Sequence, residues 1–142
     1  MKSNAEFHEE ARQYYETCFG KESERYKRHQ AILDAEEACD FDAVDELREE
    51  ESDDVLAVEQ LTHSLRGNCE WEILLTTGGP AARVIAEVDC DGQVRYAVFE
   101  YQDWYQPWYA PENQDHTFLT DWGAANFPLE CPYCDQDARR RW

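Results

Sequence analysis

The only closely spaced cysteines, Cys131 and Cys134, form a C-x-x-C pair, a spacing used both for thiol redox chemistry and for zinc binding. A redox pair of this kind follows a strand and opens a helix, whereas this one follows a predicted loop and has only eight residues after it. Zinc requires two further ligands, which Cys69, Cys90 or His116 would have to supply. We therefore predict reduced thiols and no cofactor, with Cys131 and Cys134 as the remaining candidates for a zinc site.

Four carboxylates lie in or beside predicted strands, where they could serve acid–base chemistry or bind a metal ion: Glu87, Asp89, Glu100 and Asp103. In the strand register derived below, Glu100 lies opposite Arg83, so a cross-strand ion pair explains it more simply than catalysis. We predict no catalytic residue. A small-ligand or enzymatic site that combines Glu87, Glu100 and Asp103 with Tyr96 remains the alternative.

Acidic residues are concentrated in one part of the chain. The formal net charge is −19, and residues 34–59 contain thirteen acids against Arg48 alone. On a helix, carboxylates three and four residues apart project as one stripe, with a spacing comparable to that of nucleic-acid phosphates. The members of this predicted stripe are Asp42, Asp45, Glu46, Glu49, Glu50, Asp53 and Asp54. The stripe is either a solvated face that aids solubility or a phosphate mimic that binds a basic protein.

The same charge restricts the partners of the protein. A strongly negative surface repels nucleic acid and anionic membranes, and it attracts basic proteins. No apolar run approaches the ~20 residues of a membrane span, and the N-terminal residues lack the apolar stretch of a secretion signal. We therefore expect a cytoplasmic protein with no membrane partner and no direct nucleic-acid partner.

Helical periodicity runs through residues 1–67, and the acidic residues at 34–59 lie within it. Capping residues divide it into four predicted helices: one from a Ser3–Glu6 capping box to Gly20, one over residues 21–39, one capped by Asp40 or Asp42, and one from Ser52 to Gly67. Three or four helices must therefore position the acidic stripe.

Strand periodicity replaces helical periodicity over residues 70–109. We predict three antiparallel strands, separated by a turn at residues 76–80 and by a two-residue turn at Asp91-Gly92. That second turn places Ala86 opposite Ala97 and Val88 opposite Arg95, and it gives one apolar, buried face and one mixed face.

Five aromatic residues fall within residues 101–109, and two of them, Trp104 and Trp108, are candidate apolar anchors for a partner. The alternative is that both tryptophans seal the sheet against the helices. We expect this segment to cover an edge of the sheet, because exposed edge strands invite aggregation.

Residues 74–108 carry a pattern that reads LLTTGGPA, then Glu87 and Asp89, then EYQDW and Pro107-Trp108. With this pattern the chain resembles an uncharacterised family of small proteins found in bacterial genomes and on phages and other mobile elements. The resemblance implies a mobile-element context. It implies no biochemical activity.

We predict one α+β domain over residues 1–142, in which three or four N-terminal helices pack on a three-stranded antiparallel meander. Residues 110–142 would add a loop, a short helix and the C-x-x-C tail. The predicted function is a non-enzymatic acidic protein that blocks the nucleic-acid site of a basic host defence protein, as anti-CRISPR and anti-restriction proteins do. The alternatives are the small-ligand or enzymatic domain and a structural or accessory protein of a mobile element.

Overall fold

The computed structural model describes residues 3–63, 69–78, 80–89, 91–104, 106–127 and 129. Within these residues the fold is α+β, with three helices before a four-stranded antiparallel sheet and one helix after it. The elements in chain order are α1 (Asn4–Phe19), α2 (Glu24–Glu37), α3 (Phe41–Asp53), β1 (Ala57–His63), β2 (Cys69–Thr76), β3 (Ala81–Val88), β4 (Val94–Gln102) and α4 (His116–Asn126).

The N-terminal helices begin at side chains that accept a backbone N–H three residues further on. Ser3 does so for α1 at 3.2 Å, Ser23 for α2 at 3.1 Å and Asp40 for α3 at 3.2 Å. Each such bond satisfies one of the N–H groups that the first helical turn leaves without a partner. The caps predicted at Ser3 and at Asp40 are therefore confirmed.

The predicted fourth helix is wrong, since that segment contains the strand β1 and the sheet has four strands instead of three. Ser52 belongs to the last turn of α3, and Asp54 ends that helix by donating its N–H to Glu50 O and Glu51 O. The N–H of Leu56 then donates to Leu74 O at 2.8 Å, where the pairing of β1 with β2 begins. Pairing with a neighbouring strand has overridden a short run of apolar residues at helical spacing.

Strands β3 and β4 pair in the predicted register from Ala82 opposite Tyr101 to Glu87 opposite Tyr96. The prediction is wrong at Val88, which lies opposite Val94 and not Arg95, because a bulge follows Glu87. The turn is longer than two residues, since Asp89 accepts the backbone N–H groups of Asp91 and Gln93. Gly92 adopts a φ of 80° within it.

The buried face of the sheet is the apolar face predicted from the register. Val84, Ala86 and Phe99 are fully buried there. Helix α1 packs on this face through its predicted apolar side, and α4 packs beside it through Leu119 and Trp122. The helices therefore lie on one side of the sheet. The polar and apolar side chains of the mixed face, on β2 to β4, point to the other side.

The chain after β4 closes the outer edge of that strand. Tyr109 exchanges two backbone hydrogen bonds with Tyr101, at 2.7 and 2.9 Å. The side-chain amide of Gln114 accepts the N–H of Phe99 at 2.7 Å and donates to its carbonyl at 3.1 Å. The expectation that the aromatic segment covers an edge is confirmed at its last residue, Tyr109, and Gln114 after it extends the cover.

Candidate functional site: the acidic face of helix α3

A three-residue connection folds α3 back against α2. Cys39 adopts a φ of 57°, a left-handed conformation that lets the chain reverse direction within a few residues. Asp40 then caps α3, with its carboxylate accepting the N–H of Ala43. Val44 on α3 and Ile32 on α2 are buried, so one side of each helix is committed to packing and the other side of α3 faces solvent.

A buried carboxylate fixes α3 in place. The side chain of Glu51 is 1% exposed, and its two oxygens bind Arg25 and Arg28 of α2, each at 2.6 Å. The guanidinium of Arg25 also lies 5.3 Å from the ring centre of Phe19 and 5.8 Å from that of Trp122. This network joins α3 to α2 and to the aromatic core, and it therefore sets the orientation of the solvent-facing side of α3.

Two members of the predicted acidic stripe lie next to a cation of the same network. Arg28 binds Asp54 at 2.6 Å and approaches Glu50 at 3.5 Å. Burial lowers the pKa of Arg28, but hydrogen bonds to Glu51 and Asp54 outweigh that effect and raise it. Arg28 is thus a permanent cation that compensates part of the acidic charge.

The other five predicted members are exposed and make no ion pair with any described residue: Asp42, Asp45, Glu46, Glu49 and Asp53. Each lies three or four residues from another member, so they share one side of α3, opposite Val44 and Glu51. From the first to the last they span about 16 Å, at a rise of about 1.5 Å per residue. Their density, about one charge per 4 Å, resembles the one phosphate per ~3.4 Å of a DNA strand. We call these five residues the acidic face.

An apolar side chain lies at the end of the acidic face. Phe41 is 65% exposed at the first position of α3, one helical turn before Asp45. Sequence reasoning did not single out Phe41, because an apolar residue on a short amphipathic helix is usually buried. Its exposure makes it a candidate contact residue.

The predicted tryptophan anchors lie elsewhere. The guanidinium of Arg83 stacks on Trp108 at 4.1 Å, on the outer side of the sheet, while α3 packs against α2 and α4 on the inner side. Trp104 is 67% exposed in the turn after β4. The structure thus separates Trp108 from the acidic face, and the expected packing of Trp108 against the helices is wrong.

The carboxylates of the mixed face have structural partners. Arg83 binds Glu100 at 2.9 Å, as predicted, and also Glu72 at 2.7 Å. Hydrogen bonds from backbone N–H groups, that of Gln93 first, hold the pKa of Asp89 below its usual range, and Arg95 pairs with it at 2.7 Å. Two of the four candidate carboxylates, Glu100 and Asp89, therefore take part in ion pairs within the fold.

The mixed face also includes a histidine contact. Tyr96 of β4 stacks on His116 with 4.8 Å between ring centres. His116 Nδ1 lies 3.0 Å from the carbonyl of Ala97, on the closed edge of β4. The imidazole of His116, a candidate zinc ligand in the sequence, thus contacts the backbone and the side chain of β4 at this edge.

Among the residues that the structure describes, no three His, Cys, Asp or Glu side chains converge as metal ligands. Cys131 and Cys134 lie outside these residues, and so does Cys90. Cys69 is buried in β2. The zinc site therefore stays a prediction.

Comparisons of the chain with protein-family models, with curated proteins and with solved structures gave no match. In the described part of the chain, no helix has both the length and the apolar character needed to cross a bilayer.

Proposed function

We propose that this chain is a non-enzymatic binding protein whose acidic face occupies the basic, nucleic-acid-binding site of a host defence protein. The observation that carries the proposal is that five exposed carboxylates share one side of α3 without an ion pair to any described residue. Carboxylates this close on a helix repel each other by a few tenths of a kcal/mol per pair. A basic partner would relieve that repulsion, and solvent alone does so only in part.

The mechanism is competitive. The carboxylates of the acidic face take the positions of phosphates in an Arg- and Lys-lined groove, and electrostatic steering speeds the encounter. Phe41, at the end of the acidic face, adds an apolar contact that phosphates do not offer. The Glu51 network keeps the helix rigid, so that little ordering entropy opposes binding.

The class of partner follows from charge and context. The net charge of −19 favours a basic partner and disfavours nucleic acid itself. The resemblance of residues 74–108 to proteins of phages and other mobile elements suggests an anti-CRISPR or anti-restriction role in the host cytoplasm.

The proposal is tested with two charge-matched variants. The first replaces Asp45, Glu46, Glu49 and Asp53 with Lys. The second replaces four exposed acids outside α3 with Lys: Glu59, Glu70, Asp91 and Asp121. Each replacement adds two positive units, so both variants carry −11 instead of −19. Immobilised wild-type and variant proteins are incubated with host lysate at low salt, and retained proteins are identified by mass spectrometry.

We expect the wild type and the second variant to retain one nucleic-acid-binding protein that the first variant does not retain. The purified partner is then titrated with labelled duplex, and the wild-type protein should displace the duplex competitively, less well as salt rises. Equal retention by both variants, no retained partner, or a partner that binds duplex and this protein together would contradict the proposal.

A further inference from the structure

A cleft of about 460 Å³ opens between the end of α1 and the start of α4, and no residue of α3 lines it. Its volume lies within the ~300–1,000 Å³ of small-molecule sites. Three carboxylates line it, and one of them, Glu22, lies 3.9 Å from the amine of Lys27. The residues that matter for its chemistry are the other two carboxylates and four aromatic side chains: Glu16, Asp115, Tyr15, Phe19, Tyr26 and Phe118. The proposed function uses none of them.

The aromatic side chains form a rigid wall. Tyr26 stacks on Phe118 with 4.8 Å between ring centres and 18° between ring planes. Phe19 meets Phe118 edge-on at 6.4 Å, and both phenylalanines are buried by the core behind them. Because Phe118 covers one face of Tyr26 and Arg25 lies over the ring of Phe19, the half-buried Tyr26 is the ring of this wall that a cation can approach.

The carboxylates converge on the same space. Glu16 accepts the side-chain amide of Asn113 at 3.1 Å, and Asp115 accepts the N–H of Phe118 at 3.1 Å. Each bond uses one oxygen, and neither carboxylate pairs with a cation among the described residues. Lys21 at the rim makes no ion pair with them.

The hydroxyl of Tyr15 reaches the start of α4 at the cleft. It accepts the N–H of Asp115 at 2.8 Å. Burial, together with the negative charges of Asp115 and Glu16, raises the pKa of Tyr15, although the hydrogen bond from Asp115 opposes this. Both charges therefore act at one point inside the cleft.

We propose that this cleft binds a small organic cation, a guanidinium or alkylammonium group on a short aliphatic chain. The carboxylates of Glu16 and Asp115 accept its N–H groups, and the half-buried ring of Tyr26 contacts its planar group or its chain. A bare metal ion fits less well, because it needs several oxygen ligands and the wall offers none. The proposal is independent of the acidic face on α3.

The test uses n-butylguanidinium and its neutral isostere n-butylurea, titrated into labelled protein and followed by amide chemical shifts. One variant carries Glu16→Gln and Asp115→Asn, which keep the hydrogen bonds to Asn113 and to the start of α4. The matched control carries Asp42→Asn and Glu49→Gln, which remove the same two charges from α3. A peptide with one arginine between glycines compares a protein side chain with a free molecule.

We expect saturable shifts for n-butylguanidinium at residues 15–26 and 113–118 in the wild type and in the control. The cleft variant should bind n-butylguanidinium at least about tenfold more weakly, which corresponds to a loss of about 1.4 kcal/mol of binding free energy. The neutral n-butylurea should not bind to either protein. If the peptide binds more tightly than n-butylguanidinium, the natural ligand is an arginine side chain of a protein. If n-butylguanidinium binds more tightly, the natural ligand is a free small molecule. Both outcomes support the site. Equal binding by the cleft variant, equal binding of n-butylurea, or shifts centred on α3 would overturn it.

Discussion

Three consecutive residues of α3 test whether buried charge positions the acidic face. Glu51 is 1% exposed and bridges Arg25 and Arg28 at 2.6 Å, Glu50 is 63% exposed and lies 3.5 Å from Arg28, and Glu49 is exposed and makes no ion pair with a described residue. Replacing each with Gln removes one charge and keeps the volume of the side chain. The three variants therefore differ only in burial and in partners.

The expected costs follow from those surroundings. Breaking a buried ion pair costs about 3–5 kcal/mol, and Glu51→Gln should fall at the lower end because Arg28 keeps Asp54. Glu50→Gln should cost less than about 1 kcal/mol, as exposed pairs do. Glu49→Gln should be neutral or slightly stabilising, because it relieves repulsion from neighbours one turn away.

Urea unfolding followed by circular dichroism measures all three variants on one scale. With a denaturant slope of about 2 kcal/mol/M, a loss of about 3 kcal/mol lowers the midpoint by about 1.5 M urea. Glu51→Gln should also weaken retention of the partner, although it leaves every carboxylate of the acidic face in place. A cost for Glu51→Gln below about 1 kcal/mol, or three equal costs, would refute the conclusion that this carboxylate holds α3 on α2.

Three further outcomes follow from buried or edge groups. Burial lowers the pKa of His29, so below about pH 6.5 the unfolded chain binds a proton that the fold rejects, and stability falls as the pH drops. His29→Leu should remove this contribution to the pH dependence of the free energy of unfolding, which is at most about 1.4 kcal/mol per pH unit. Urea unfolding of both proteins at pH 7 and pH 5.5 measures the difference. Burial raises the pKa of Cys18 to about 11, so little of its reactive thiolate forms at pH 8. Iodoacetamide at pH 8 should therefore alkylate the exposed Cys39 at least about tenfold faster than Cys18, as measured by peptide mass spectrometry. Gln114→Ala leaves the N–H and carbonyl of Phe99 without their partner, and it should cost about 1–3 kcal/mol in urea unfolding and increase light scattering on concentration.

The sequence predicted those parts of the fold that depend on local chemistry. The caps at Ser3 and Asp40, and the β3–β4 pairing as far as Glu87, required only residue types and a turn signal. The prediction ended at Val88, since a single aspartate that accepts two turn N–H groups lengthened the turn and shifted the register. A strand register counted from the turn residues is wrong when one side chain can lengthen the turn.

Non-local partners decided the features that the sequence could not predict. The β1 segment has apolar residues at helical spacing, and only the backbone of β2 made it a strand. Glu51 looked like one more solvated acid, because its burial depends on Arg25 and Arg28, more than twenty residues earlier in the chain. Trp108 was assigned to the partner surface by composition, but it covers Arg83 on the far side of the sheet. Spacing placed the carboxylates of the predicted stripe on one helix, but it could not say that Glu50 and Asp54 would lie next to Arg28.

The closed edge of β4 limits how copies of this protein can assemble. Endless strand addition, as in fibrils, needs a free edge at each end of the sheet, so that every added copy offers a new edge to the next. Tyr109 and Gln114 occupy the backbone groups of β4 at Tyr101 and Phe99, which leaves β1 as the other edge. Two copies joined through β1 would have a sheet that ends in β4 on both sides, so growth would stop at a symmetric pair.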